Sequence, residues 1–135
     1  MTVIDSSAVV DYLLGEAVAG EVEALMTVEG ELAAPDALVF EVLAVLRRET
    51  FRGNISVARA AGAVHDLGDL PIELSPSLPA RERVWELRQN LTVADALFVA
   101  LAEELGEPLA TKDGGLAAAA AAHGTAEVTR LGHGR

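Results

Sequence analysis

At 135 residues, with 51% hydrophobic but only 4% aromatic residues, the chain fits one domain whose core is built mainly from Ala, Val and Leu. Ten basic residues against 21 acidic ones give a formal net charge of −11, which excludes a broadly basic nucleic-acid surface, so RNA or DNA binding would need a local basic patch or bound cations. The absence of cysteine excludes disulfides and thiolate metal sites, and the start MTVIDSS lacks a signal-peptide pattern, so a soluble cytoplasmic protein without a membrane span is expected.

The first half of the chain alternates short strand patterns with helix patterns. Residues 2–5 (TVID) predict a buried strand, after which Ser6 or Ser7 can cap a helix over 8–14. The sequence then predicts a helix over 17–28, a strand over 31–35, a helix over 37–50 that Asp36 can cap, and a helix over 55–67. Each predicted strand is therefore followed directly by a helix.

The second half of the chain repeats this order. It predicts strands over 69–74, 108–113 and 126–131 and helices over 78–91, 92–105 and 115–124. Strands that are separated by helices and lack hairpin turn signals indicate an α/β fold. We therefore expect a central parallel sheet of four to five short strands flanked by helices.

Two carboxylates follow predicted strands at the same edge of that sheet. Asp5 ends the first strand and Asp113 ends the fourth, and ligands of open parallel sheets bind outside the carboxyl ends of the strands. Helix N-capping is the alternative role for each, because Asp is a favoured N-cap residue. The sequence alone leaves both interpretations open.

Two further carboxylates lie in largely apolar helices. Glu41 lies within LVFEVLAVL, where Leu38 and Val45 share its helical face. An ionised carboxylate there is costly to bury unless it is paired or neutralised, and the alternative is a Glu that faces solvent. Asp95 follows Thr92 by three residues, which resembles a capping box, yet the first turn of a helix also reaches the edge of a sheet.

Together these residues suggest one acidic cluster, here called the site carboxylates: Asp5, Glu41, Asp95 and Asp113. Two carboxylates about 4 Å apart repel by roughly 4 kcal/mol at an effective dielectric constant near 20. A hard divalent cation such as Mg²⁺ or Mn²⁺ would compensate that repulsion, because it prefers carboxylate oxygen. Such a site suits metal-assisted chemistry at a phosphodiester.

Three segments carry a resemblance to a known family. They are VIDSSAVVDYLLGE at the start, APDALVFEVLAVLRR in the first half, and LTVADALFVALAEELGEPLATKDGGLAAAA near the end. In these segments, and nearly end to end, the chain resembles the PIN-domain ribonucleases and, among them, the VapC toxins of VapBC toxin–antitoxin systems. The resemblance implies one PIN-like nuclease domain over residues 1–135, with a metal site of four acidic positions that the site carboxylates match.

The resemblance also implies supporting residues and partners. Thr111 matches a hydroxyl position near the site, and Ser6 and Ser7 lie in the corresponding first segment. Members of this kind are Mg²⁺- or Mn²⁺-dependent endoribonucleases that dimerise and are silenced by a cognate antitoxin. RNA, a VapB-like antitoxin and a second copy of the chain are therefore expected partners.

Basic residues cluster on two predicted helices, and two interpretations of them remain open. They are either solvated helix faces with acidic partners nearby, or contacts to RNA phosphates beside the acidic cluster. The candidates for RNA contact are Arg47, Arg48, Arg81 and Arg83.

The remaining polar residues carry weaker expectations. His65, His123 and His133 lack metal-ligand spacing and are expected at the surface or at helix ends, and Asp11 in the first helix is expected to be exposed.

Two other function classes compete with a nuclease. A receiver-like signalling domain is also α/β with carboxylates at strand ends, but it would need a phosphorylatable Asp after the third strand, where PIEL offers none. A noncatalytic binding module of similar fold is the other alternative.

Overall fold

The computed structural model describes residues 1–132, so His133 lies outside the described part of the chain. Five parallel strands form one sheet in the order β3-β2-β1-β4-β5. The strands are β1 (Val3–Ile4), β2 (Leu32–Pro35), β3 (Ile72–Ser75), β4 (Leu109–Thr111) and β5 (Val128–Arg130). The predicted parallel sheet of four to five short strands is confirmed.

Seven α-helices within residues 1–132 connect and flank these strands. They are α1 (Ser6–Leu14), α2 (Ala19–Glu29), α3 (Ala37–Phe51), α4 (Val57–Leu67), α5 (Arg81–Glu86), α6 (Val93–Leu105) and α7 (Gly114–His123). The helix predicted over 78–91 is wrong in extent, because a 3-10 turn at Leu78–Ala80 precedes a helix of only 6 residues. Pro79 lies in that turn, and its missing N–H and fixed φ confine it to the start of a helical segment.

Strand β1 lies at the centre of the sheet, where the direction of the chain connections reverses. The connections β1–β2 and β2–β3 step one way across the sheet, whereas β3–β4 and β4–β5 step the other way. Because crossovers between parallel strands are right-handed, the helices of the first two connections lie on one face of the sheet and those of the last two on the other. Ligands of such sheets usually bind in the crevice where the connections reverse. Asp5 directly follows β1, and Asp113 follows β4 by two residues, so both flank this crevice.

The core is aliphatic, as the composition predicts. Val3, Ile4 and Leu109 of the central strands are fully buried, and Phe98 of α6 is the largest side chain among the fully buried residues. The helix α6 packs across β1, β2 and β4, while α1 packs against α2, α3 and α4. Within residues 1–132, no helix combines the length and the apolar character needed to cross a membrane.

Two predicted helix caps are wrong. Asp5 caps α1 instead of Ser6 or Ser7, which are the first two residues of the helix, and its carboxylate accepts a hydrogen bond from Ala8 N at 3.1 Å. The Asp36 side chain makes no cap hydrogen bond to α3 and accepts one from the Ser77 hydroxyl instead.

Candidate active site

Asp5 is the buried centre of the candidate site. Its side chain is among the few buried charged groups, with only 4% of the residue exposed. Besides its cap bond, it accepts hydrogen bonds from Ser7 Oγ at 2.9 Å and from Thr111 Oγ1 at 2.5 Å. Burial raises the pKa of Asp5 despite these bonds, and the negative charge of Asp113 raises it further.

Thr111 links Asp5 to Asp113 across the sheet edge. Its hydroxyl is fully buried, donates to Asp5 Oδ2 and accepts from Asp113 N at 2.9 Å. Asp113 itself is exposed and caps α7, accepting from Leu116 N at 3.0 Å. The capping interpretation is therefore confirmed for both Asp5 and Asp113, and the cap of α7 uses Oδ1 of Asp113.

Glu41 approaches the same site from α3. It is half-buried, and Ser6 Oγ donates a hydrogen bond to its Oε1 at 3.1 Å, which links α3 to the first residue of α1. Burial raises the pKa of Glu41, and the charges of Asp95 and Asp5 add to the rise. Glu41 is therefore neither fully buried nor fully exposed to solvent.

Asp95 completes the group from the first turn of α6. Thr92 caps this helix, and its hydroxyl accepts from Asp95 N at 3.1 Å, so the predicted cap is confirmed. Burial raises the pKa of Asp95, and the charge of Asp113 raises it further.

The site carboxylates form a loosely spaced ring in which each one is repelled by its two neighbours. The repulsions run from Asp5 to Glu41, from Glu41 to Asp95, from Asp95 to Asp113 and from Asp113 back to Asp5. Within residues 1–132, none of them is joined to a lysine or arginine by an ion pair. The nearest lysine in sequence, Lys112, is paired with Asp11 instead. The ring therefore carries negative charge that the described chain does not neutralise.

This donor set fits a hard, hydrated divalent cation. All the side-chain donors are carboxylate and hydroxyl oxygens, which Mg²⁺ and Mn²⁺ prefer. The ring is open: among residues 1–132, three ligand atoms that all lie within 4.8 Å of one another occur at His65, Asp66 and Asp69, and not at the site carboxylates. Mg²⁺ usually keeps several waters and binds only one or two carboxylates directly, so an open ring suits it.

The group at His65, Asp66 and Asp69 has the character of a surface cluster. All three residues are exposed at the end of α4, and His65 Nε2 lies 3.8 Å from Asp69 Oδ2. Asp66 and Asp69 also line a surface cavity with Tyr12, Glu23 and Thr27. His65 and His123 are both exposed, which confirms the expectation for the histidines within residues 1–132.

The expectation that Asp11 is exposed is wrong. Asp11 is 3% exposed, and its Oδ1 accepts from Lys112 Nζ at 2.6 Å while its Oδ2 accepts from Val18 N at 3.3 Å. The sequence carried a signal for this burial, because Asp11 shares a helical face with Val10 and Leu14. The pair joins α1 to the turn that holds Thr111 and Asp113, and sequence analysis missed it.

The predicted RNA-contact residues have different surroundings. Arg83 is joined to Glu103, with Nε 2.7 Å from Oε1, and to Glu86, so its guanidinium is already occupied. The guanidinium of Arg47 stacks on Phe51, 4.4 Å from the ring centre, and Arg81 donates to Leu78 O. Arg48 makes no side-chain hydrogen bond or ion pair within residues 1–132, and it lines a cavity together with Ser7 and Lys112.

Comparisons with known proteins all match the chain to members of one family. The family model described as "PIN domain" matches residues 2–122. The chain is 41% identical over 118 residues to Ribonuclease VapC1 of Mycobacterium tuberculosis, an alignment that covers 87% of this chain and 89% of that protein. It is 38% identical over 122 residues to Ribonuclease VapC12 and 32% identical over 117 residues to Ribonuclease VapC3 of the same organism, with at least 85% of each relative covered.

Proposed function

The chain belongs to the PIN domain family and, within it, to the VapC ribonucleases, and from this premise we propose that it is a Mg²⁺- or Mn²⁺-dependent endoribonuclease. In this proposal it acts in the cytoplasm as the toxin of a toxin–antitoxin pair. Its substrate is RNA, and a VapB-like antitoxin silences it.

One observation carries the metal-dependent part of the proposal. The ring of site carboxylates lies at the carboxyl edge of the sheet, beside the crevice where the connections reverse, and it lacks a compensating cation within residues 1–132. Keeping these four carboxylates ionised at neutral pH destabilises the folded state through repulsion and burial. A purely structural role for the four residues would not require four acidic side chains. A bound divalent cation accounts for them.

The chain's own residues then have distinct parts in the reaction. A divalent cation supplies charge neutralisation at the scissile phosphate and acidifies water. Asp5, fixed by Ser7 and Thr111, is the rigid ligand, because its hydrogen bonds define the direction of both its oxygens. Glu41 and Asp95, the two half-buried carboxylates of the ring, are the proposed acceptors for the proton of the attacking water.

The reaction itself is a hydrolysis. The water oxygen forms a bond to phosphorus, the bond from phosphorus to the leaving ribose oxygen breaks, and the proton lost by water is balanced by the one that the leaving oxygen gains. Attack in line with the leaving oxygen needs the attacking and leaving oxygens to lie on opposite sides of the phosphate.

Two partners follow from the family premise. We propose that the chain forms a homodimer, because Leu43, Val64 and Leu74 are 40%, 46% and 45% exposed and line one apolar groove, and contiguous apolar patches of this kind mark contact surfaces. A cognate antitoxin would have to block the crevice or displace a ligand from the site carboxylates.

Of the two alternative function classes, the receiver-like domain is excluded and the noncatalytic module is not. The sheet order 3-2-1-4-5 differs from the 2-1-3-4-5 order of flavodoxin-like receiver domains, and the family membership also excludes that alternative. A noncatalytic module of the same fold remains the competing hypothesis, and it predicts RNA binding without cleavage.

The proposal is tested by cleavage of RNA with the purified chain. In Mg²⁺ or Mn²⁺ we expect new RNA ends that are lost on adding EDTA and lost in Asp5→Asn, whereas the control Glu104→Gln, an exposed carboxylate of α6, cleaves like the wild type. Cleavage that persists in the metal-loaded Asp5→Asn variant would contradict the assignment. Growth arrest on expression of the chain alone, relieved by its neighbouring reading frame, tests the toxin role.

A further inference from the structure

A cavity of about 510 Å³ lies between α1 and α3, directly beside the site carboxylates. It is lined by one face of α1, one face of α3 and the following loop, and its lining includes Asp11, Val45, Arg48, Asn54, Ile55 and Lys112. Ser7 belongs to both the cavity and the site, since its hydroxyl bonds to Asp5. The volume falls in the range of small-molecule and nucleotide pockets, about 300 to 1,000 Å³.

The helical geometry makes this cavity a continuation of the site. Glu41, Val45 and Arg48 are spaced by four and three residues, so they share one face of α3. Arg48 therefore lies two turns beyond Glu41, about 10 Å along the axis. A stacked single strand advances about 3.4 Å per nucleotide, so this distance corresponds to at most about three nucleotides.

Two cations in the cavity have hydrogen-bond donors to spare. Arg48 is exposed and makes no side-chain hydrogen bond or ion pair with any other residue in the described part of the chain. Lys112 uses one of the three N–H groups of its ammonium on Asp11, and its side chain is 37% exposed. The buried carboxylate of Asp11 fixes the direction of the Lys112 side chain, so its remaining donors are held beside the site.

The other lining residues suit a nucleotide better than a free ion. Val45 and Ile55 offer apolar surface for the face of a base, and the amide oxygen of Asn54 is an acceptor, because only its Nδ2 is used by Glu49. Three acidic residues, Asp11, Glu16 and Glu49, also line the cavity, so the two cations do not make it basic overall. A polyanion therefore binds favourably in this cavity only when its phosphates contact Arg48 and Lys112 directly.

From this arrangement we propose that the cavity between α1 and α3 is the subsite for the nucleotides of single-stranded RNA beside the scissile phosphate, with Arg48 and Lys112 contacting its phosphates. The inference rests on the proposed ribonuclease function and adds to it the path of the RNA and the residues that restrict its sequence. Arg47, Arg81 and Arg83, which face other neighbours, lie outside this path.

Binding and cleavage of one RNA probe test the inference. The probe is a fluorescently labelled pool of random single-stranded RNA 20-mers, with affinity measured by anisotropy and cut ends mapped by sequencing in Mn²⁺. Arg48→Gln removes one phosphate contact without disturbing any partner in the described chain, so we expect about 5- to 10-fold weaker binding. The slope of log K against log salt concentration should fall by about 0.7, the value for one phosphate on a single strand.

Two further variants separate the cavity from general surface charge. Asn54→Trp fills the cavity from an exposed loop position, so it should weaken binding and change the nucleotide preference beside the cut. Arg81→Gln removes an equal charge outside the cavity and should leave affinity and cut sites unchanged. Circular dichroism confirms that each variant is folded.

The outcomes distinguish the two proposals. Binding by the wild type without any cut ends would contradict the ribonuclease function, and the affinities of the variants would still test the cavity. Cutting with the same preference and affinity in Arg48→Gln and Asn54→Trp would overturn the subsite while leaving the ribonuclease intact. An equal loss in Arg81→Gln, or no binding of the pool by the wild type, would also overturn the subsite.

Discussion

Replacing Glu41 by Gln should stabilise the metal-free protein while it impairs cleavage. Glu41 lies in the interior of α3, half-buried, and its pKa is raised by burial and by the charges of Asp95 and Asp5. Gln has nearly the same shape, and its amide oxygen can still accept the hydrogen bond from Ser6. The substitution therefore removes charge repulsion and desolvation cost without removing a contact.

The size of this effect follows from Coulomb's law. Two unit charges about 5 to 8 Å apart repel by about 2 to 3 kcal/mol at an effective dielectric constant near 20, which sets the scale for each carboxylate neighbour. Solvent screens a half-exposed group strongly, so we expect a net gain of about 1 to 2 kcal/mol in the free energy of unfolding at pH 7.

The pH dependence has a definite sign. A carboxylate whose pKa is raised by folding penalises the fold above that pKa, and the penalty disappears as the pH falls through it. The difference between Glu41→Gln and the wild type should therefore be largest at neutral pH. It should shrink as the pH falls toward about 4.3, the ordinary pKa of Glu.

Urea unfolding in EDTA, followed by far-UV circular dichroism, measures these differences; Trp85 is 63% exposed and would report poorly by fluorescence. The control Glu104→Gln should change stability by less than about 0.5 kcal/mol at any pH, as exposed surface substitutions do. A Glu41→Gln variant that is less stable than the wild type at pH 7, or equally stable at all pH values, would refute the charge-ring account.

Three further predictions concern the supports of the site. Thr111→Val should cost about 1 to 3 kcal/mol by urea unfolding, because a buried carboxylate loses its shortest hydrogen bond, and RNA cleavage should fall; unchanged stability would contradict the role of this hydroxyl. Asp11→Leu should cost about 1 to 3 kcal/mol by urea unfolding, because Lys112 Nζ and the buried Val18 N lose their acceptor, and unchanged stability would argue against the pair as a link between α1 and the end of β4. Arg83→Gln should leave RNA affinity unchanged and instead lower stability by up to about 1 kcal/mol, because its partner Glu103, whose pKa Arg83 lowers, loses its cation; a loss of RNA affinity would restore Arg83 as a contact.

The sequence predicted the sheet and the grouping of the four carboxylates because both depend on local patterns, and the part of these carboxylates in a reaction stays a prediction. Asp5 and Asp113 directly follow apolar strands, and the parallel order of the strands brings their ends to one edge. Glu41 was identifiable because a carboxylate interrupts an otherwise apolar helical face. Family resemblance added Thr111, whose contact with Asp5 spans 106 residues and leaves no local pattern.

The missed features depend on pairing between distant segments. Lys112 and Asp11 are 101 residues apart, so nothing near either residue indicates the other. The cavity arises from the way α1 packs against α3, which a sequence without coordinates does not specify. The ion pair of Arg83 left no local signal, because its partner Glu103 lies 20 residues away on another helix.

Anomalous scattering from crystals soaked in Mn²⁺ would test the central claim most directly. The account predicts a Mn²⁺ peak inside the ring of Asp5, Glu41, Asp95 and Asp113, and no such peak in crystals of Asp5→Asn. A peak confined to His65, Asp66 and Asp69, or a Mn²⁺ peak at the ring that survives in Asp5→Asn, would contradict it.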